Sequence, residues 1–347
     1  MARRRQNPVQ ALLRREMAEA TRVRKRRLEH GSHAPRIVLV SHIGARSGPA
    51  LVRHFLDHYY RLGVDDFLII LHGSRGDAQS VAIERELARY NQAPALWVDS
   101  FSCLLKRARY QKVVDAHCRP RDWVIYADVD ELQIYPAALH DFVGKLALSG
   151  LDYATGHFVD HLADNGVLAP IHPELSIWEQ FPYVGLVTEE LTGGATRKVC
   201  IARARRRLGD GGAHTLAGPG DYHDNWRRTH AGAWSEPSIQ IHHFKWDASL
   251  PERLDNKLQG LAGDRDRVDG SAFMGEYRRL AAHLGGGSVV HVAALRLFGR
   301  PKLAEERAPL GAAHGPSEPT PVVARATPEL RTGNRGGKSP WACRRLW

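Results

Sequence analysis

The sequence predicts an α/β protein with a doubly wound, mainly parallel sheet, followed by an irregular C-terminal half. Between residues 36 and 127, short apolar segments alternate with helical segments, and short loops separate them. Strands that alternate with helices form parallel sheets through right-handed crossovers. The run Phe67–Leu71 is continuously apolar, as expected of a strand that is covered on both faces. After residue 150 the alternation ends, and loops rich in Gly, Pro and His become longer.

Apolar spacing and turn residues predict the elements of both halves. The strands expected in the first half are Arg36–Val40, Asp66–Leu71, Ala95–Val98 and Trp123–Ala127. The helices that connect them are expected over Pro49–Leu62, Ala78–Tyr90 and Cys103–Cys118. In the second half, we predict strands over Tyr153–Val159 and Ile239–Phe244 and helices over Pro251–Leu261 and Phe273–Leu284.

The positive charge is concentrated at the two ends of the chain. The net charge of the 347 residues is +11, of which residues 1–36 carry +8 and residues 301–347 carry +4. We therefore predict a basic N-terminal extension over 1–35, one large domain over 36–300 and a disordered Pro/Gly/Arg-rich tail over 301–347. A nucleic-acid enzyme normally carries its basic face on the folded body, so we expect no nucleic-acid partner.

Apolar residues in the basic extension recur at helical spacing, from Val9 to Val23. A basic amphipathic helix of this kind can lie on an anionic membrane, and a solvated or disordered arm is the alternative. The four cysteines have no pairing or zinc-binding spacing, and we find neither a long apolar run nor a signal peptide. We expect a cytoplasmic protein, and contact of residues 1–30 with the inner face of the membrane stays open.

Three acidic residues, in the sequence Asp128-Val129-Asp130-Glu131, directly follow the strand Trp123–Ala127. Because unpaired buried charges are costly, these acids should lie just beyond the carboxyl end of the strand, where open α/β sheets bind ligands. In an extended segment, Asp128 and Asp130 would point to one side. Two such carboxylates suit Mg²⁺ or Mn²⁺. The alternative is a strand-end turn whose acids are only solvated.

This arrangement resembles the Asp-x-Asp signature of GT-A-type glycosyltransferases, in particular a bacterial, family 2-like group with Asp-x-Asp-Glu. The resemblance covers about residues 36–260. It includes the segments Phe158–His161, Trp178–Pro182, Arg197–Val199, Gly212–His214 and His242–Trp246. It implies a GT-A-like fold and sugar transfer from a nucleotide diphosphate sugar to a saccharide or glycolipid acceptor for cell-surface polysaccharide. His72 stands where the family usually has Asp, and His42 stands in a segment where many relatives have Asn-Glu, so the nucleotide is not identified.

The resemblance also implies roles for individual residues. Asp130 would contact the metal, Mn²⁺ or Mg²⁺, and Asp128 would reach the ribose or the metal through water. Glu131 would either orient the loop or bind the ion. A histidine from the C-terminal half often completes such a site, and the candidates are His214, His242 and His243. Neighbours in a strand point to opposite faces, so only one of the last two can face the site, and we favour His243.

Further contacts to the nucleotide sugar are expected from Asp77, Lys198, His214 and Lys245, in addition to Asp128. An inverting transfer also needs a general base near the acceptor hydroxyl. Our first candidate is Glu179, because an apolar setting beside Trp178 would raise its pKa. The other candidate acids of this half are Asp160, Glu189, Glu190, Asp221 and Asp224. Trp178, Trp226 and Trp234 could stack on sugar rings, and core packing is the alternative.

Two other functions are compatible with the sequence. One is a non-catalytic GT-A-like protein that binds nucleic acid or an anionic membrane through its basic arm. The other is a metal-dependent phosphodiesterase or nucleotidyltransferase on a related sheet, because nucleotidyltransferases also hold a metal with paired acids.

Overall fold

The fold class predicted from the sequence is confirmed: the chain forms a mixed α/β structure around one curled sheet. A computed structural model describes residues 35–98, 101, 103–194, 197–217, 239–263, 270–295 and 297–299. Residues 1–34 of the basic extension, the tail, and the candidates Asp221, Asp224, Trp226 and Trp234 lie outside this range. None of the helices in the described part is both long and apolar enough to span a bilayer.

We number the elements in chain order. The strands are β1 (Ile37–Gly44), β2 (Asp66–His72), β3 (Ala95–Trp97), β4 (Trp123–Tyr126), β5 (Glu131–Ile134), β6 (Tyr153–Leu162), β7 (Tyr183–Gly185), β8 (Arg197–Arg203), β9 (Ile239–His243) and β10 (Leu297–Gly299). The α-helices are α1 (Pro49–Leu62), α2 (Ala78–Ala88), α3 (Cys103–His117), α4 (Leu139–Leu148), α5 (Ile177–Gln180), α6 (Val187–Thr192), α7 (Leu250–Gly263) and α8 (Gly270–Leu284).

The sheet has a parallel part and an antiparallel part. Strands β3, β2, β1 and β4 lie side by side and parallel, so their carboxyl ends share one edge. The second half then adds antiparallel neighbours, with β8 beside β4, β6 beside β8, and β7 beside β6. Strand β9 pairs parallel with β6 and antiparallel with β5. This pairing brings the chain after β4 next to the C-terminal half.

Apolar side chains cover both faces of the parallel strands, as a doubly wound sheet requires. On one face, Leu39 and Ile125 pack in a cluster that includes Phe55 of α1 and Phe142 of α4. On the other face, Val124 and Tyr126 pack in a cluster with residues of α3. The acids that follow β4 therefore have no room inside the sheet and emerge at its carboxyl edge.

The predicted helices and strands of the first half are present with small shifts at their ends. Helix α1 begins with Pro49 at its first turn and ends at Gly63, whose φ of 86° is in the left-handed region that glycine favours. Strands β5, β7, β8 and β10 and helices α4, α5 and α6 were not predicted from the sequence. Strand β8 is the most consequential omission, because it carries Lys198 to the edge of β4.

Candidate functional site

The Asp-x-Asp segment forms a turn between β4 and β5, and Glu131 closes this turn. The Glu131 amide donates to the carbonyl of Asp128 at 3.0 Å, and the Asp128 amide donates to Glu131 Oε2 at 2.9 Å. Glu131 is thus placed to orient the loop, one of the two roles predicted for it. The expected extended segment is wrong, because Val129 and Asp130 form a turn. As a consequence, Asp128 and Asp130 contact different partners.

Asp128 lies between two lysines. Lys106 of α3 donates to its Oδ1 at 2.7 Å, Lys198 Nζ lies 3.5 Å from Oδ2, and the Tyr110 hydroxyl donates to Oδ1 at 3.3 Å. Lys198, whose side chain is 2% exposed, also binds Glu131 at 2.7 Å. Burial alone would raise the pKa of Asp128, but the two ammonium groups hold it well below its usual range. This carboxylate is ionised and fully paired.

Asp130 faces a second set of cations. Its Oδ2 lies 3.7 Å from Nε2 of His243 and 3.4 Å from Nη1 of Arg253, which is on α7. Burial would raise the pKa of Asp130, but His243 and then Arg253 hold it well below its usual range. The interaction with His243 confirms that β9 turns this histidine, as we favoured, toward the Asp-x-Asp turn.

The register of the sheet explains why His243 reaches the site. His243 lies opposite Glu131 of β5 and Asp160 of β6, and cross-strand partners share one face. Nδ1 of His243 donates to Oδ1 of Asp160 at 3.0 Å. Burial disfavours the protonated ring, but Asp130 and Asp160 together raise the pKa of His243 to about 9.

His242 points to the opposite face of β9 and into an apolar aromatic cluster. Its Nδ1 lies 2.7 Å from Nε2 of His161, and Nδ1 of His161 lies 2.8 Å from the carbonyl of Phe181. The rings of Trp178 and Phe244 pack against this pair. Burial lowers the pKa of His161 to about 4 and holds the pKa of His242 well below its usual range. Both rings are therefore neutral at pH 7.

The donor set around Asp130 fits a divalent cation in a limited way. No group of three or more His, Cys, Asp or Glu side chains suited to a metal occurs within the described ranges. Mg²⁺, however, is often held by one or two protein ligands, and substrate phosphates complete its shell. Asp130 and Nε2 of His243 provide two such ligands, provided that the imidazolium releases its proton. The oxygens of Asp128 contact Lys106 and Lys198, and the metal contact predicted for Asp128 stays a prediction.

Two predicted nucleotide-sugar contacts lie beside this cluster. Lys245 follows β9 and lies 3.7 Å from Glu276 of α8. Nδ1 of His214 lies 2.8 Å from the carbonyl of Arg197, and its ring is 6.2 Å from that of Phe158, which also contacts His243. Both residues are thus near the face of His243, and their predicted contacts to the donor stay predictions.

Asp77 has a structural role in the loop after β2. It is the N-cap of α2, and its carboxylate accepts from the amides of Ser74, Gln79 and Ser80 and from the Ser80 hydroxyl. Such capping satisfies the free amides at a helix start. The contact with a nucleotide predicted for Asp77 is untested, and it would compete with these four hydrogen bonds.

The setting predicted for Glu179 is wrong. Glu179 lies on the short helix α5 and is exposed to solvent. Its neighbour Trp178 packs on His161 and His242, so α5 lies against the face of β9 opposite to His243. The sequence places aromatic residues beside Glu179 but does not reveal which of them turn inward. Trp178 itself packs in this cluster, as the core alternative predicted.

Lys106, Tyr110 and Arg253 were not among the residues predicted from the sequence, and Asp160 was predicted only as a candidate base. Lys106 and Tyr110 are four residues apart on α3, so they share one helical face. That spacing was visible in the sequence, but the direction of the face was not. Arg253 reaches Asp130 from α7, more than one hundred residues away in the chain. Only the fold reveals this contact.

Aromatic rings line the carboxyl ends of the first three strands. His72, the last residue of β2, stacks on Trp97 of β3 with 4.3 Å between the ring centroids. His42 of β1 and Phe101 lie within 6 Å of this pair. His42 and His72 therefore belong to one aromatic cluster at the same sheet edge as Asp128.

No family model matches the chain, and no curated protein does. Among solved structures, one described only as a mycobacterial protein is 13% identical, with 62% of this chain and 67% of that chain covered and a TM-score of 0.29. Another, S. aureus TarS 1–349 in complex with UDP-GlcNAc, is 8% identical, with 73% of each chain covered and a TM-score of 0.28. At these scores, neither similarity bears on what this chain does.

Proposed function

We propose that this protein is a glycosyltransferase that uses a nucleotide diphosphate sugar as donor. The observation that carries the proposal is the cluster of Asp128 and Asp130 with four cationic side chains at the carboxyl edge of the parallel strands. The cations are Lys106, Lys198, His243 and Arg253. Ligands of open α/β sheets bind at this edge. The resemblance of the Asp-x-Asp-Glu segment to family 2-like enzymes supports the same conclusion.

Transfer from such a donor requires that the departing diphosphate be neutralised. Lys106 and Arg253, whose side chains are 9% and 17% exposed, each contact one of the two carboxylates, and each can exchange that partner for a phosphate oxygen. Lys198 is more deeply buried and bridges Glu131 and Asp128, so it keeps the turn in place. A Mn²⁺ or Mg²⁺ ion held by Asp130 and His243 would act as a Lewis acid on the diphosphate.

The general base for the acceptor hydroxyl is not assigned. Asp160 is unsuited, because hydrogen bonds from Thr188, His243 and Trp246 engage both of its oxygens. Glu179 is exposed and lies on the side of β9 opposite to His243, which disfavours it as the base. A saccharide or glycolipid acceptor, as the resemblance implies, belongs to this proposal, and contact of residues 1–30 with a membrane stays a prediction.

The first test is thermal stabilisation of the purified protein by nucleotides. UDP, GDP, CMP and a panel of nucleotide sugars are added, each with and without Mn²⁺. A ligand that prefers the folded state raises the melting temperature. We expect one nucleoside diphosphate to raise it and Asp130→Ala to abolish the shift, whereas His242→Gln, on the opposite face, keeps it.

Donor turnover provides the second readout. Release of nucleoside diphosphate from the matching nucleotide sugar would support transfer or donor hydrolysis by this site. If instead the protein makes a nucleotide sugar from a sugar phosphate and a nucleoside triphosphate, it is a nucleotidyltransferase. The proposal fails if no nucleotide stabilises the protein and no donor is consumed.

A further inference from the structure

Asp160 is a buried carboxylate that accepts four hydrogen bonds. It is 1% exposed. Its Oδ2 accepts from the Thr188 amide at 2.6 Å, and its Oδ1 accepts from the Thr188 hydroxyl at 2.8 Å and from the Trp246 indole at 3.0 Å. Nδ1 of His243 is the fourth donor, at 3.0 Å. Three of these donors share Oδ1, and burial of the whole group leaves no access for a substrate hydroxyl.

The three neutral donors fix the carboxylate, and the carboxylate in turn fixes His243. The neutral donors come from α6 and from the segment after β9, which hold Asp160 of β6 from two sides. Because Nδ1 of His243 donates to Asp160, Nε2 is the nitrogen that faces Oδ2 of Asp130, at 3.7 Å. The orientation of the ring is therefore set by Asp160.

The charge of Asp160 has a further consequence. A buried carboxylate is costlier to hold than a neutral acceptor such as an amide, which could orient the ring equally well. Unlike an amide, a carboxylate on Nδ1 makes Nε2 a stronger electron donor toward a cation. The arrangement Asp160–His243 is thus that of a histidine ligand and the group that supports it.

We infer that Asp160 is a positioning residue for a divalent cation site formed by Asp130 and Nε2 of His243. Asp160 does not touch the cation. It selects which nitrogen faces Asp130 and strengthens that nitrogen as a ligand. The inference rests on the proposed function for the phosphates that would complete the site, but binding of the cation can be measured without any nucleotide.

The test is a titration of the full-length protein with Mn²⁺ alone, followed by electron paramagnetic resonance of free Mn²⁺. We expect the wild type to bind Mn²⁺ and Asp130→Ala to lose this binding. Asp160→Asn should weaken the affinity roughly 10- to 100-fold, as loss of supporting groups commonly does. His242→Gln is the matched control, because it alters an adjacent buried histidine on the other face, and its Mn²⁺ affinity should equal that of the wild type.

A purely structural role of Asp160 would be revealed by unchanged Mn²⁺ affinity in folded Asp160→Asn, and this result would overturn the inference. An equal loss of Mn²⁺ affinity in His242→Gln would also overturn the inference. If Asp160→Asn does not fold, Trp246→Phe removes one neutral donor from Oδ1 and should weaken binding by a smaller factor, about 2- to 5-fold. If the wild type binds UDP or GDP but no Mn²⁺, the cation site is wrong and the proposed function is still supported.

Discussion

Two adjacent histidines, on opposite faces of β9, have opposite chemistry. His243 faces the carboxylates of Asp130 and Asp160, which raise its pKa to about 9. His242 faces His161 and aromatic rings, and burial holds its pKa well below the ordinary value. A step of one residue along the strand thus leads from a cluster of charged side chains to a buried aromatic cluster. The comparison indicates that sheet register, and not the residue type, decides which histidine can act.

The largest expected effect on the free energy of unfolding is that of Lys198→Met. This change leaves Glu131 buried without its cation, and breaking such a pair usually costs about 3–5 kcal/mol of folding free energy. Urea unfolding measures the loss. In Lys198→Met/Glu131→Gln, part of the stability should return, because no uncompensated charge remains. A double variant no more stable than the single one would contradict the pairing.

His161, which is buried against His242 and Phe244, should make the folding stability of the protein sensitive to acid. Burial lowers the pKa of His161 from 6.5 to about 4. The unfolded chain therefore binds a proton first as the pH falls. The stability contributed by neutral His161 is complete above pH 6.5 and is lost progressively down to about pH 4, by roughly 2–3 kcal/mol.

Unfolding by urea between pH 7.5 and 4.5 checks this dependence. His161→Gln should flatten the curve over that window, because Gln does not titrate. An equally steep curve in this variant would assign the acid sensitivity to other groups, such as His58, whose pKa burial also lowers to about 4.

Lys106→Met should have an intermediate effect. Asp128, whose side chain is 30% exposed, keeps Lys198 nearby, so we expect a loss of only about 1 kcal/mol of stability. The affinity for a nucleoside diphosphate should fall about tenfold, since one cation for the phosphates is removed. Thermal shift titration measures both quantities. An unchanged affinity would place the diphosphate away from Lys106.

Glu179→Gln should have the smallest effect. Glu179 is exposed on α5, which packs on the side of β9 that carries His242. We expect stability within about 0.5 kcal/mol of the wild type and an unchanged rate of sugar transfer. A loss of transfer of a hundredfold or more, with donor binding retained, would restore Glu179 as the base.

The sequence predicted the structure correctly where one short segment determines it. The apolar run before Asp128 predicted β4 and the emergence of the acids at the sheet edge, and strand alternation predicted that only one of His242 and His243 faces the site. Contacts between segments that are far apart in the chain were not predicted. Lys106 and Arg253 approach the acids from α3 and α7, and no local pattern encodes such contacts.

The predicted setting of Glu179 failed for a related reason. Aromatic neighbours in a sequence indicate an apolar environment only if the side chain of interest shares their face. On α5, Trp178 turns toward His242 while Glu179 turns to solvent. The direction of so short a helix depends on what it packs against, and the sequence alone does not provide that information.

The most direct test of the account compares His243→Gln with His242→Gln. Both variants are titrated with the nucleoside diphosphate that stabilises the wild type, in the presence of Mn²⁺, after urea unfolding has established how much of each is folded. The account predicts that His243→Gln loses the nucleotide-dependent shift and that His242→Gln keeps it, although its stability is lower. Retention of the shift in His243→Gln, or its loss in folded His242→Gln, would contradict the account.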